Sequence, residues 1–287
     1  LKEVTERLGP GSGDIILDAT LGGGGHAIEI LNRIIPGGRL VAVDRDPEAI
    51  ERSRTRLKGF EDNIIYVNDD FRNIDKTLTS IGEESIDGAV FDLGMSSFQI
   101  DDSGRGFSFL KDGPLDMRFD RRKKLSAGDV VNRSGKEELA DIIRKYGEER
   151  HARLVAGAIV NARKKKRIET TGALADIVEK AVGRKYRGQR IHAAARTFQA
   201  IRIYVNDELS AVEEGVEKAF NFLRPGAKIC VISFHSLEDR IIKNKFREMA
   251  RSGDAEILTK KPICPDSKET GMNPRSRSAK LRVAEKV

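Results

Sequence analysis

A short apolar run, Ile15-Ile16-Leu17, ends in Asp18 and is followed within four residues by Gly22-Gly23-Gly24-Gly25. An uninterrupted apolar run of this kind reads as a strand buried on both faces of a parallel sheet. Glycines straight after it let the backbone turn tightly and pass close to a ligand with no Cβ in the way. The helical pattern Ala27-Ile28-Glu29-Ile30-Leu31 comes next, and a second apolar run, Leu40-Val41-Ala42-Val43, ends in Asp44. A carboxylate at that strand end can accept hydrogen bonds from both hydroxyls of a ribose. Strand, glycine turn, helix, strand and acid form the layout of a nucleoside site at the carboxyl edge of a doubly wound sheet. The bland alternative for the glycines taken alone is a tight turn with no ligand.

Two nucleoside cofactors fit that layout. Gly22-x-Gly24-x-x-Ala27 matches the dinucleotide fingerprint, with Asp44 at about the spacing expected for NAD. Asp18 points the other way: a carboxylate just before the glycines crowds a pyrophosphate but suits the cationic amino-acid end of S-adenosylmethionine. Two further runs, Ile64-Ile65-Tyr66-Val67 and Gly88-Ala89-Val90-Phe91, end in Asn68-Asp69-Asp70-Phe71 and in Asp92. Polar groups at the first of these ends suit the adenine amino group, and Phe71 could pack on the adenine face. Asp92 stands where class I methyltransferases place residues flanking the methyl group. Asp18, Asp44, Asp70 and Asp92 thus close four successive strands, which favours S-adenosylmethionine over NAD.

Alternation of strands and helices continues to about residue 100 and predicts a parallel sheet with right-handed crossovers. The rhythm breaks at Ser96–Asp120, a Gly/Ser/Asp-rich stretch whose Phe107, Phe109, Leu115 and Met117 predict an ordered rather than a disordered loop. Helical patterns then fill 125–195, with Ser134 expected to cap the helix over 136–145, and further helices over 149–166 and 171–183. Residues 197–223 read as helical, and Lys228–Phe234 reads as a buried strand. Two last strands, over Ala255–Thr259 and Leu281–Ala284, are expected to close the sheet with an antiparallel pair. The expected architecture is α/β: a class I S-adenosylmethionine-dependent methyltransferase fold, a Rossmann-like seven-stranded sheet, with an inserted small helical domain. The expected boundaries are 1–104 and 196–287 for the sheet domain, and 105–195 for the inserted loop plus helical substrate-binding domain.

The formal net charge is +7 and the pI about 9.3, which favours an acidic partner such as nucleic acid over mere solubility charge. Basic residues cluster at Arg163–Arg167, at Arg184, Lys185, Arg187, Arg190 and Arg196, and in the tail at Arg275, Arg277, Lys280 and Arg282. Such runs are often solvated faces; with Tyr186 among them, those in the insert suggest contact with RNA phosphates. Cys230 and Cys264 form no Cys-x-x-Cys, so neither a disulfide framework nor a zinc site is expected, and a reducing cytoplasmic location fits. No metal-ligand spacing is visible. No apolar run reaches the ~18 residues of a membrane span, and no signal peptide is evident. The oligomeric state is left open. The chain begins at Leu1 rather than Met, so a trimmed start is expected.

Asp92 is the candidate for the reacting side, as an acceptor that orients a nucleophile, although the Asn/Asp-Pro-Pro-aromatic motif of many amino methyltransferases is not matched. Cofactor binding or helix capping is the plainer role for it. His26, at the helix start, reads more readily as a local hydrogen-bonding residue than as a base. His235, at the end of the fifth strand, is a substrate-contact candidate. Ser96, Ser97 and Asp116 are weaker candidates on the substrate side, with Arg187 and Arg190 as RNA contacts. Methyl transfer from a sulfonium needs neither metal nor nucleophilic side chain; in-line placement and electrostatics dominate.

Several segments go beyond fold class: Asp18–His26, Asp92–Ser97, Arg105–Phe109, Gly113–Arg118, Thr197–Asn206, Ile232–Arg240 and Asn273–Arg277. In the same order and over nearly the whole chain, they closely resemble the MraW/RsmH family. The resemblance implies an S-adenosylmethionine-dependent enzyme that methylates the N4 amino group of cytidine 1402 in 16S rRNA, within the decoding centre of the bacterial small ribosomal subunit. It further implies cofactor contacts at Gly24, Gly25, His26, Asp44, Phe71, Asp92 and Gln99. A His-x-Pro-Val segment that family members carry lies before the point where this chain begins. Two rivals are kept: a methyltransferase acting on another RNA base, a protein or a small molecule, and a non-catalytic protein that clamps rRNA.

Overall fold

The computed structural model describes residues 2–188 and 191–287. Along the chain, α1 (Lys2–Leu8) is followed by β1 (Ile15–Asp18), α2 (Gly25–Ile34), β2 (Arg39–Val43), α3 (Pro47–Arg56), β3 (Ile64–Val67), α4 (Ile74–Ser80) and β4 (Ile86–Asp92). Six helices follow: α5 (Ser97–Asp101), α6 (Ala127–Arg133), α7 (Lys136–Gly147), α8 (Ala152–Arg163), α9 (Thr171–Val182) and α10 (Ala195–Asn206). The chain then returns through α11 (Glu208–Phe222), β5 (Leu223–Ser233), α12 (Ser236–Ser252), β6 (Ala255–Ile257), α13 (Ser267–Met272) and β7 (Lys280–Lys286). Two compact units result, one made of residues 1–95 and 209–287, the other of 96–208.

The first unit is a seven-stranded sheet in the order β3-β2-β1-β4-β5-β7-β6. β1 to β5 are parallel, and β7 runs antiparallel to both β5 and β6. Successive strand residues bury into opposite cores, because side chains alternate along a strand. Leu17, Val41, Phe91 and Val231 join one core with α4, α11 and α12. Ile16, Leu40, Val90 and Cys230 join the other with α1 and α2. Both faces are covered, which is why these strands read as continuous apolar runs. This is the class I methyltransferase arrangement, and the sequence reading of the fold is borne out. The last two strands occupy Ala255–Ile257 and Lys280–Lys286 rather than the expected spans; the ladder runs on through β7 to Lys286, opposite Ala255.

The second unit carries its own core. The stretch before α6 is ordered by Arg105, only 2% exposed, whose guanidinium donates to the carbonyls of Arg118 and Phe119. Phe107 stacks on Phe119 with centroids 5.0 Å apart. The Asn206 side chain accepts from the Phe119 amide and donates to the Met117 carbonyl. Phe107, Leu115 and Met117 are buried as expected, and half-buried Phe109 packs on Phe198 and His192.

Two local expectations are corrected, and the helical reading of 197–223 is refined. Ser134 ends α6, and Gly135 starts α7 instead, with Glu138 accepting its amide. The stretch 197–223 is two helices, broken at Asp207, whose φ of 49° is left-handed. The units divide at Ser96 and Glu208, not at 105 and 195. α10 belongs with α7, where Tyr146 and Tyr204 meet at 6.0 Å.

Candidate active site

The site is built on strand ends at the carboxyl edge of the first unit's sheet. Asp18, closing β1, is 1% exposed, and its Oδ1 accepts the Thr20 amide at 3.1 Å. The Thr20 hydroxyl in turn accepts the Asp92 amide at 2.6 Å, tying the end of β1 to the end of β4. Asp44, just beyond β2, clamps the glycine turn: its Oδ2 accepts from Gly22 N and its Oδ1 from Asp46 N, both at 2.8 Å. Gly22 and Gly24 have φ of 51° and 72°, which side-chain-bearing residues rarely adopt. The turn is held from α3 as well, since Ser53 Oγ donates to the Gly22 carbonyl and Arg56 to the Gly23 carbonyl. That geometry sets Gly25 and His26 as the first residues of α2.

His26 is buried, and its Nε2 lies 3.6 Å from Asp92 Oδ2. Among the described residues, buried His26 Nδ1 and Asp92 Oδ1 have no hydrogen-bond partner. Burial pushes the Asp18 carboxyl up to about 6, opposed by His26 and the Thr20 amide and reinforced by Asp92 and Asp44. Burial likewise raises Asp44 to about 6, against the amides of Asp46 and Gly22. Asp18 and Asp92 thus flank one imidazole, with Asp44 close enough to Asp18 to act on it, and none of the three makes an ion pair with Lys or Arg among the described residues.

Over residues 1–287 the chain matches the model of the MraW methylase family. It belongs to that family. It is 51% identical to the ribosomal RNA small subunit methyltransferase H of Persephonella marina, over 96% of this chain and 93% of the relative. It is 44% identical to the protein of that name from Clostridium botulinum strain Kyoto, over 100% of this chain and 97% of the relative. With the protein of that name from a Sulfurihydrogenibium species it shares 48% identity, again over 100% of this chain and 97% of the relative.

As a MraW methylase the chain uses S-adenosylmethionine, and the residues present fit it. Asp18 and Asp92, which make no ion pair with lysine or arginine among the described residues, suit a cationic sulfonium amino acid; Asp44 also feels the charge of Arg45. The Asp44 oxygens each keep a second lone pair for a ribose hydroxyl. Asp92 Oδ1 is a buried acceptor awaiting a donor.

The structure places Gly24, Gly25, His26, Asp44 and Asp92 at the same sheet edge, with Asp44 on the glycine turn and His26 beside Asp92. Thr20 and Ser53 were missed. Thr20 has a local signal, since it stands two residues after a strand-end Asp, where an Asx-type turn forms; Ser53 lies in mid-helix and has none.

The other expected site residues lie differently. Phe71 is a core residue: it meets Phe91 edge-on at 5.6 Å, sits tightly against Gly215, and has the Arg45 guanidinium 5.7 Å from its ring centroid. Gln99 and Ser96 belong to the second unit and form the capping box of α5, where each side chain accepts the other's amide. Ser97 is the exposed first residue of α5. Asp116 is held by Arg118 in a two-pronged ion pair with contacts of 2.8 Å. His235 caps α12, its Nδ1 accepting the Glu238 amide at 3.3 Å. Arg187 is exposed, and Arg190 lies outside the described residues.

The basic runs also need correction. Tyr186 is buried with its hydroxyl on Glu149, so it offers no ring to a base. Arg163 donates to the carbonyls of Val131 and Ser134 and is structural. Arg282 is buried and paired with Asp239. Lys164, Lys165, Lys166 and Arg167 remain exposed. No helix among the described residues is long and apolar enough to cross a membrane.

Proposed function

We propose that this chain transfers the methyl group of S-adenosylmethionine to the N4 amino group of cytidine 1402 in 16S rRNA, with the small ribosomal subunit as substrate. The observation that carries the chemistry is Asp92. Its amide is fixed by Thr20, one carboxylate oxygen lies beside His26, and the other is buried with no partner. The bound cofactor supplies an electrophilic methyl on a sulfonium.

The exocyclic amine of cytosine is a weak nucleophile, because its lone pair is delocalised into the ring. An acceptor that takes a hydrogen bond from N4–H returns density to nitrogen and aligns the lone pair. The half-buried Asp92 carboxylate at the strand end is our candidate for this acceptor. The new N–C bond forms as the methyl–sulfur bond breaks, and the amine's surplus proton leaves to Asp92 or to solvent. Asp18 and Asp44 hold the amino-acid and ribose ends, and the glycine turn lets the backbone approach. The target base has to leave its stack to be reached. Exposed Lys164–Arg167 and Arg187 in the second unit supply charge for the RNA backbone, which makes that unit the substrate-binding part.

The test is transfer of labelled methyl to small subunits lacking this modification, followed by nucleoside analysis. Label in N4-methylated cytidine is expected. Label in another nucleoside, or in protein, overturns the substrate, and cofactor binding without transfer to any ribosomal acceptor overturns the reaction.

A further inference from the structure

A pocket of about 250 Å³ opens between α12 and the β6–β7 edge of the sheet. Phe246 and Ile257 form its apolar floor, and Lys243, Arg247, Lys260 and Arg282 bring four cations to it. Lys243 and Arg247 share one flank of α12 because residues four apart fall on the same side of a helix. Asp239 lies one turn before them on that flank and is the only acid on this stripe. Arg282 already engages it through Nε at 2.7 Å and a terminal nitrogen at 3.2 Å, and Lys280 lies 3.8 Å away.

Lys243, Arg247 and Lys260 make no ion pair among the described residues. That is not the rule for this helix: on its other flank, Lys245 pairs with Glu217 at 2.9 Å and with Glu248 at 3.5 Å. At the pocket one carboxylate, Asp239, faces several cations: it is taken by Arg282 and also feels Lys243, which leaves Arg247 and Lys260 without an acid of their own among the described residues. The Thr259 hydroxyl at the pocket is spent on the sheet, accepting the Val283 amide at 2.8 Å, so it fixes the wall. Cations around an apolar floor focus positive potential, since the low-dielectric wall concentrates field lines. Arginine adds a planar fork that matches a phosphate.

We infer that this pocket is a phosphodiester subsite: it holds the backbone of the RNA substrate at a point removed from the target base. The inference rests on the RNA substrate proposed above. The plainer role for such charges is to guard edge strand β6 against pairing with another chain. That role asks for charge on the strand, not for Lys243 and Arg247 on the neighbouring helix, neither of which makes a close ion pair among the described residues.

The experiment compares wild type with the combined variant Lys243→Gln, Arg247→Gln, Lys260→Gln. A second variant, Lys2→Gln with Lys76→Gln, lowers charge elsewhere on the same unit. KM and kcat for small subunits are measured at several salt concentrations, with cofactor affinity and melting temperature alongside. Expected for the pocket variant are a KM raised about tenfold and a salt slope shallower by about 0.7 for each phosphate the variant leaves unneutralised. Its kcat, cofactor affinity and melting temperature should match wild type. An unchanged KM and slope, or an equal loss in the second variant, overturns the subsite; so does aggregation with unaltered KM, which is edge protection only. If wild type methylates no RNA, the functional reading fails on its own. Fluorescence anisotropy with a 16S rRNA fragment then still decides the pocket, and equal affinity of wild type and variant refutes it.

Discussion

Asp18 is ionised in water at neutral pH, yet its buried place at the end of β1 raises its pKa to about 6. The folded chain therefore binds this proton more tightly than the unfolded chain, whose value is 3.8. By linkage, the stability contributed here falls as pH rises from about 4 to about 6, and above 6 the full cost of the buried charge is present. Asp44, also near 6, titrates in the same window with the same sign. A bound cation offsets that cost, so cofactor affinity should rise between pH 5 and 7 with protons released on binding. Calorimetry near pH 6 in buffers of different ionisation enthalpy checks this; binding with no proton release would count against the cluster as the cation's seat. Asp18→Asn should weaken cofactor binding at least tenfold while raising the melting temperature at pH 8, because about 3 kcal/mol of unfavourable buried charge is removed. For Asp92→Ala, turnover should fall by about a hundredfold or more with the fold intact. Near-normal methylation by the folded variant removes Asp92 from the reaction. These acids were legible because strand ends announce themselves in sequence. Phe71 is less legible: an aromatic after a strand end serves adenine or core equally well, and its contacts with Phe91 and Gly215 show its packing in the core.

Elements were read well where one period dominates and poorly where packing sets the boundary. The parallel strands follow from apolar runs; the break at Asp207 has a weaker sign, the Asn206-Asp207 pair, since these residues tolerate a left-handed backbone, and α10 before it packs on α7. Gly147 marks that packing: a Cβ there would collide with the Arg196 carbonyl, and Ala200 stands just behind. Gly147→Ala should therefore destabilise the second unit by about 1–3 kcal/mol, seen as a lower melting temperature with cofactor affinity unchanged. Loss of cofactor binding in step with stability would refute that separation. Helix α5 offers a sharper test. The family resemblance makes Gln99 a cofactor contact, whereas its carbonyl oxygen accepts the Ser96 amide in a capping box. Hydrogen exchange with and without S-adenosylhomocysteine separates the two. Protection is expected at the glycine turn and the start of α2, since a ligand stabilises what it binds. Added protection over Ser97–Asp101 assigns Gln99 to the cofactor as well, and none leaves it a cap.

Charge is divided across the molecule in a way the total of +7 conceals. The unit formed by 96–208 holds 25 Lys and Arg against 16 Asp and Glu, a net +9, while the sheet unit holds 27 against 29. Within the sheet unit the sign divides again: residues 1–95, which carry the strand-end acids, are net −7, and 209–287, which carry the basic pocket, are net +5. An acidic segment serves a small cationic cofactor, and basic segments serve a polyanion. The two ligands should then respond to salt very differently. Each phosphate neutralised releases bound counterions, so RNA affinity falls steeply with salt, by about tenfold or more between 50 and 200 mM for several such phosphates. The cofactor's charge meets buried Asp18 and half-buried Asp44 and Asp92, which bulk ions screen less than an exposed surface. Measured on one preparation across that range, KM for the small subunit should rise at least tenfold while cofactor affinity changes less than about twofold. A KM indifferent to salt would exclude an extended phosphate interface and favour a protein or small-molecule acceptor. A cofactor affinity that fell in parallel would place its charge at the surface rather than among Asp18, Asp44 and Asp92.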